Sequence, residues 1–358
     1  MYYNDRVLHH FHEKYGNAEV LIDIQNRVVL KGFSCKIAKI SSCIITNYLG
    51  KGRINLDKIL IENICEKYPI VDIVSYEKVK SGNTAETFLI NSKSKKWILR
   101  KLKDRAQGDA EFAITSHLFN KGVDCVSPII PTKDGKPYFC FGEDYYNLQE
   151  YINGIVPEVS DKQIVQEIAK SVAYMQNALF DSEIIITSKD RFDLLDLWEK
   201  GNTLWEHLYS YGKVVYSTRE VDEILKELYL ETAGNNKIIH GDLVIWNMIW
   251  TNNQIKIIDF GEARMGDYYF DIAGALCSSI GYNKSIEKMA ELSRTFIDTY
   301  SQNFFKINIS RLRSYIQLWY WRGILSVLNN EQFHINKKEN VIKLSLDIMY
   351  KYNTILIS

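Results

Sequence analysis

The stretch HGDLVIWNMIWTNNQIKIIDFG, residues 240–261, sets four polar side chains, His240, Asp242, Asn247 and Asp259, at the margins of strongly apolar runs. A carboxylate in such surroundings is unfavourable unless something pairs with it. The runs NMIW and IKII, joined by the turn TNNQ, read as a β-hairpin. In that register Trp250 faces Ile255 and Asn247 faces Ile258, so Asn247 comes to lie beside Asp259 at the open end. An amide oxygen and a carboxylate then converge on one point. Hard divalent cations such as magnesium take oxygen ligands, often only one or two from protein and the rest from phosphate and water. Asn247 and Asp259 make such a sparse pair, and Asp242, in the loop feeding the hairpin, stands ready to accept a proton from a substrate hydroxyl.

The rest of the chain restricts what this site serves. Lys+Arg and Asp+Glu both total 44, so no net field holds nucleic acid or an acidic membrane, and binding specificity must be local. No secretory leader opens the sequence, and no apolar run approaches the roughly 18 residues a bilayer needs, so a cytoplasmic protein is expected. The composition leaves the oligomeric state open. Cysteines 35, 43, 65, 125, 140 and 277 form no CxxC pair and are expected as free buried thiols. HHFH, residues 9–12, lacks acidic or thiol partners at ligand spacing and reads as a partly exposed helix face.

Residues 1–57 read as an N-terminal extension without legible chemistry, although AEVLIDIQNRVVLKG suggests a hairpin about Gln25 and Asn26. A helix over LDKILIENICEKY stops before Pro69, and VDIVSYEKV, ETFLI and KWILRKL follow as strands of a small antiparallel sheet. GDAEFAITSHLFNKG reads as a helix closed by Gly122, and PYFCF and YYNLQEYI as two short strands. From Asp161 the pattern is mainly helical, apart from the quoted hairpin. The expected class is therefore α+β and bilobal: a β-rich N-lobe and hinge over residues 58–153, and a helical C-lobe over 154–358.

His240-Gly241-Asp242-Leu243 with Asn247, then Asp259-Phe260-Gly261, resembles the catalytic loop and metal motif of the protein-kinase-like superfamily. Glycine in the second position is similar to the branch holding aminoglycoside phosphotransferases, choline kinases and homoserine kinases. The resemblance implies that Asp242 orients or deprotonates the acceptor hydroxyl, while Asn247 and Asp259 hold magnesium on the phosphates of ATP or GTP. It implies structural roles for His240, bracing the loop, and for Asp271, fixing the loop from below. KVKSGNTAETFLI resembles the phosphate-covering loop, with Ser81, Gly82, Asn83 and Thr84 as donors, but carries a single glycine. WILRKL resembles the strand bearing a phosphate-binding lysine; here the position falls on Arg100, with Lys101 on the opposite face. Glu111 is then its ion-pair partner, and backbone groups around Glu150, Tyr151 and Ile152 are placed to read the adenine edge.

DFGEARMGDYYFDIAGAL runs directly from Asp259 into the next helix, with no peptide platform, so a small-molecule hydroxyl is the expected acceptor. Aromatic and charged residues of the helical lobe, Trp198, Glu199, Trp205, Trp319 and Arg322, are the candidates for the acceptor site, though aromatic residues at helical spacing also build cores. A nucleotide-binding pseudokinase with a regulatory role and an atypical protein kinase are the alternative readings.

Overall fold

The computed structural model describes residues 19–22, 28–31, 56–70, 72–79, 86–188, 190–232, 234, 236–251, 254–282 and 284–356. Residues 81–84, expected to cover phosphate, lie outside the described residues, as do the turn at Gln25 and Asn26 and the HHFH run.

The first two described strands, β1 (Glu19–Ile22) and β2 (Val28–Lys31), pair antiparallel, as the sequence pattern expected. Helix α1 (Leu56–Lys67) then leads into a six-stranded sheet. This sheet comprises β3 (Ile73–Lys78), β4 (Thr87–Ser92), β5 (Lys96–Leu102), β6 (Ile129–Ile130), β7 (Phe139–Phe141) and β8 (Asp144–Glu150). Its order is β3-β4-β5-β8-β6, with β7 also on β8, and every pairing is antiparallel. Alternation gives the sheet one apolar face: Phe88, Ile90, Leu99 and Leu148 are wholly buried against Ile64 and Tyr68 of the α1 side. The two-residue β6 was not legible in the sequence because II within SPIIPT is too short to show a period.

Helix α2 (Arg105–Asn120) crosses this lobe, its N-terminus capped by Asp104, which accepts from Gln107 N at 2.9 Å. Its Gly108 lies under the Tyr138 ring, where a Cβ would come within 2.6 Å. After it the chain becomes helical: α3 (Lys162–Leu179), α4 (Leu194–Ser210) and α5 (Thr218–Glu231) come before the site hairpins, and α6 (Tyr268–Ile280), α7 (Ile286–Asn303), α8 (Ile309–Leu328) and α9 (Ile335–Ile355) follow. Asp161, Asp193 and Ser217 cap three of these helices through side-chain oxygens. A second, larger core gathers Val165, Ile168, Trp205, Leu276, Phe296 and Leu325, all fully buried and separate from the core under the sheet. Two cores make two lobes.

Cys125 and Cys277 are buried as expected, but Cys140, on the outlying strand β7, is exposed. No described helix is long and apolar enough to cross a membrane.

Candidate active site

Strand β9 (Lys237–Ile239) pairs with β12 (Arg264–Gly266), and the loop that leaves β9 carries His240, Gly241 and Asp242. Asp271, in the first turn of α6 and fully buried, accepts from the backbone N–H of His240 at 2.7 Å and of Gly241 at 2.9 Å. Burial pushes its carboxyl upward, against the pull of these two backbone donors. His240 is itself buried; its Nε2 meets the Ile258 carbonyl at 3.0 Å and its Nδ1 accepts from Asp242 N–H at 3.3 Å. Those partners put the proton on Nε2. Its ring lies 4.6 Å from that of Phe260. His240 and Asp271 thus hold the backbone on both sides of Gly241.

Gly241 has φ +80°, and a Cβ there would collide with the Glu262 carbonyl and the Arg264 guanidinium. Gly241→Ala should therefore lower the melting temperature and suppress phosphotransfer, since strain alone costs about 1–3 kcal/mol at such a position. A melt and a transfer assay on the same preparation check this; an unchanged melting temperature would contradict it.

Beyond Asp242 a short 3₁₀ turn, Ile245–Asn247, brings the chain into the hairpin β10 (Met248–Thr251) and β11 (Gln254–Ile257). Trp250 pairs with Ile255 and the Ile258 N–H donates to the Asn247 carbonyl at 3.0 Å, the register read from the sequence. Asn247 donates its amide to the Asp242 carbonyl at 2.8 Å and to Asp242 Oδ2 at 3.0 Å. This fixes the amide and turns Oδ1 to the other side. Asp259 follows with a left-handed φ of 65° and accepts from Gly261 N.

On strand β5 the alternation works as expected. Lys101 turns outward to Asp144 at 2.7 Å, and Arg100 turns inward. The Arg100 fork spans two carboxylates, Glu111 of α2 and Asp259 of the opposite lobe. Glu111 is almost fully buried and also accepts from Gln107 Nε2 at 2.6 Å and Asn147 Nδ2 at 3.0 Å. Burial works against the Arg100 charge, but Glu111 and Asp259 outweigh it and hold the guanidinium above its ordinary pKa. Desolvation likewise pushes Asp259 upward, and Arg100 pulls it below the usual carboxylate range. A planar, bidentate donor bridges this gap as a single ammonium does not.

At the hinge Tyr151 N–H is committed to the Lys96 carbonyl at 2.9 Å, and the Glu150 carboxylate reaches Lys95 at 2.9 Å. Glu150 itself faces β6, where continuing the register puts Pro128 opposite it. Proline has no N–H to donate, so the Glu150 carbonyl has no strand partner on that side.

Between the lobes lies a cleft of about 580 Å³, lined by Arg100, Gln107, Asp242, Asp259 and Glu262, among others. Its far wall is Thr187, Ser188 and Arg191, and Arg191 pairs with Glu262 at 2.5 Å. Behind it Asp190 sits between two arginines, 2.9 Å from Arg264 and 2.9 Å from Arg322. Sequence reasoning missed Asp190, Arg191, Glu262 and Arg264. Residues 182–192 have no periodicity, and the only available signal was the charge in DFGEAR.

None of the five expected acceptor residues lines this cleft, and neither do Asn247, Glu111, Glu150, Tyr151 and Ile152. Trp205 is wholly buried with Nε1 on the Tyr216 carbonyl, and Trp198 packs edge-on against it at 6.2 Å. Trp319 packs on the core beside Tyr320, and Glu199 is exposed on α4. Arg322 is spent on Asp190 and the Phe192 carbonyl. Helical spacing placed these rings in the core, where apolar area is best removed from water.

Burial raises Asp190 and the two arginines pull it down, leaving it below the ordinary carboxylate range. A depressed folded pKa contributes stability that is present above the unfolded value, roughly pH 4, and is lost as pH falls through the folded one. Asp190→Asn should thus be less stable than the parent at pH 7, with the gap narrowing at pH 3. Denaturant melts at the two pH values measure this, and a gap that widens in acid would refute it.

A β-sheet lobe set against a helical lobe, with a paired aspartate and asparagine at the seam, defines a kinase-like protein. Residues 75–313 match the model of the phosphotransferase enzyme family, APH, and the chain belongs to that family. A protein LicA homolog of Metamycoplasma hominis is 28% identical over 176 residues, 46% of this chain and 62% of that protein. The chain spans less than two thirds of the length of the curated relatives it matches. Amicoumacin kinase hAmiN, solved with AMP-PNP, Ca²⁺ and Ami, superposes with a TM-score of 0.64 at 12% identity, over 82% of this chain and 93% of that one. The microcompartment-associated aminopropanol kinase superposes with a TM-score of 0.64 at 16% identity, over 83% and 97%. At these identities the likeness is one of fold.

Proposed function

We propose that the protein moves the γ-phosphate of ATP or GTP to a hydroxyl of a small cytoplasmic molecule, such as an amino alcohol, an aminoglycoside or a sugar. The observation that supports this reading is that Asp242, Asp259 and Arg100 line one cleft, with Asn247 hydrogen-bonded to Asp242 behind it, although Arg100 stands more than 140 positions before the other three. Asp242 accepts the proton as the hydroxyl oxygen bonds to the γ-phosphorus and the bond to the β,γ-bridging oxygen breaks. Arg100 supplies positive charge beside the phosphates, braced by Glu111.

The donor set suits magnesium. Asn247 Oδ1 and an Asp259 oxygen are hard ligands, and among the described residues no cluster of three or more His, Cys, Asp or Glu offers an all-protein cage. Bound there, magnesium neutralises charge on the phosphates. For the base, Pro128 leaves the Glu150 carbonyl open, and the Ile152 N–H lies two residues on, past the committed Tyr151. Ser81, Gly82, Asn83 and Thr84 remain the proposed cover of the phosphates. Residues 58–153 and 154–358 are proposed as the two working lobes, with 1–57 outside them.

Only Phe260–Asp267 separate Asp259 from helix α6, which supports a small acceptor over a peptide. A nucleotide-binding regulatory module is the second reading, favoured by the ion pair that Arg100 already makes with Asp259. Release of ADP or GDP from γ-labelled ATP or GTP with magnesium, measured against a panel of amino alcohols, aminoglycosides and sugars, decides between them. Acceptor-dependent turnover is expected. Nucleotide binding with no turnover on any acceptor would favour the regulatory module, and label passing only to protein would reverse the choice of acceptor.

A further inference from the structure

We infer that Asp190 is a positioning residue, which ties the acceptor wall of the cleft to the peptide carrying Asp242. The inference rests on the reading of Asp242 as the proton acceptor.

Gly241 and Asp242 are joined by a peptide unit held at both ends. The Asp242 N–H lies on His240 Nδ1 at 3.3 Å, and the Gly241 carbonyl accepts from Arg264 Nη1 at 3.2 Å. The same Nη1 also reaches the Glu262 carbonyl at 3.2 Å, so one guanidinium nitrogen holds the catalytic loop to the segment bearing Glu262. Arg264 in turn is held from behind by Asp190 at 2.9 Å. Its side chain is only 8% exposed, so water does not screen it.

Asp190 has a second duty. Its other oxygen meets Arg322 of α8 at 2.9 Å and accepts from Phe192 N–H at 2.9 Å, while Arg322 Nε donates to the Phe192 carbonyl at 3.2 Å. Both guanidinium groups lie over the Phe270 ring, at 4.8 and 5.0 Å. Asp190 is therefore one anion between two cations that share an apolar bed. Without its charge Arg264 and Arg322 repel each other, and that repulsion already lowers Arg264 from its ordinary value, after burial.

Thr187, Ser188 and Arg191, next to Asp190 in the chain, line the cleft, and Arg191 is paired with Glu262. One carboxylate thus sets two things at once: the acceptor wall through its own backbone, and the Asp242 peptide through Arg264. The nucleotide contacts proposed at Arg100, Glu111 and Glu150 do not pass through it.

The test is steady-state kinetics of Asp190→Asn, Arg264→Gln and the double variant, with an acceptor found by turnover of the parent protein. Asp190→Asn should lower kcat roughly 10²-fold, the effect of displacing reacting groups by about 1 Å. The acceptor KM should rise, and the nucleotide KM should stay within about twofold of the parent. The double variant should be no worse than the poorer single one, because both act along one chain of contacts. Additive losses, or a lower melting temperature with unchanged kcat and acceptor KM, would overturn the role. Asp190→Glu, which keeps the charge, should recover part of kcat, and it decides the matter if the asparagine variant does not fold. Backbone amide exchange of residues 240–248 gives a readout free of activity: it should quicken in Asp190→Asn, and an unchanged rate refutes the inference. A parent protein that turns over no acceptor while its variant exchanges faster would fault the proposed function and leave this contact chain standing.

Discussion

Asp242→Asn should bind nucleotide as the parent does and yet lose kcat by roughly 10²–10⁴-fold, the range a positioned general base supplies. The substitution keeps the size of the side chain, and the backbone around it is held by other groups: Gly241 by Asp271, and the Asp242 N–H by His240. Asn247 would lose only one of its two acceptors, since its amide also reaches the Asp242 carbonyl at 2.8 Å. The fold therefore has no reason to change while the proton loses its destination. Turnover with the best acceptor, beside a nucleotide thermal shift, separates the two effects. Transfer within a few-fold of the parent would remove Asp242 from the mechanism.

Glu111→Leu should destabilise the N-lobe by about 3–5 kcal/mol, the usual result of leaving one partner of a buried ion pair alone. Arg100 would keep Asp259, whose side chain is 49% exposed, but would lose the partner that is sealed from water. Gln107 and Asn147 would also be left without the carboxylate they now serve. Arg100→Leu/Glu111→Leu should recover most of that stability, because two apolar side chains replace two charges, and should remain inactive with a raised nucleotide KM. Urea melts of the single and double variants give the coupling. A double variant that is no more stable than the single one would show that the pair is not the source of the loss.

The parts of this site that the sequence disclosed were those with a short period or a fixed register. The hairpin of β10 and β11 was readable because the apolar runs NMIW and IKII flank the polar turn TNNQ, and its register carries through to the Ile258 N–H on the Asn247 carbonyl, next to Asp259 in the chain. Arg100 and Lys101 were separable because neighbours on a strand face opposite ways. The far wall of the cleft was hidden for the opposite reason. Thr187, Ser188, Asp190 and Arg191 come from an irregular stretch, and no local pattern states that it folds back onto Arg264, more than seventy positions later. The tryptophans misled because an aromatic ring on a helix has the same spacing whether it faces a ligand or the core.

Pro128 carries a consequence for where the pairing of β8 ends. A sheet edge is normally a row of alternating donors and acceptors, open to any strand that arrives. Strand β8 has neighbours on both sides: Tyr151 bonds back to Lys96 on the β5 side, while on the β6 side the ladder stops where Pro128 stands opposite Glu150. Exchanging Pro128 for a residue with an N–H would add one donor opposite the Glu150 carbonyl without altering Asp242, Asn247, Asp259 or Arg100.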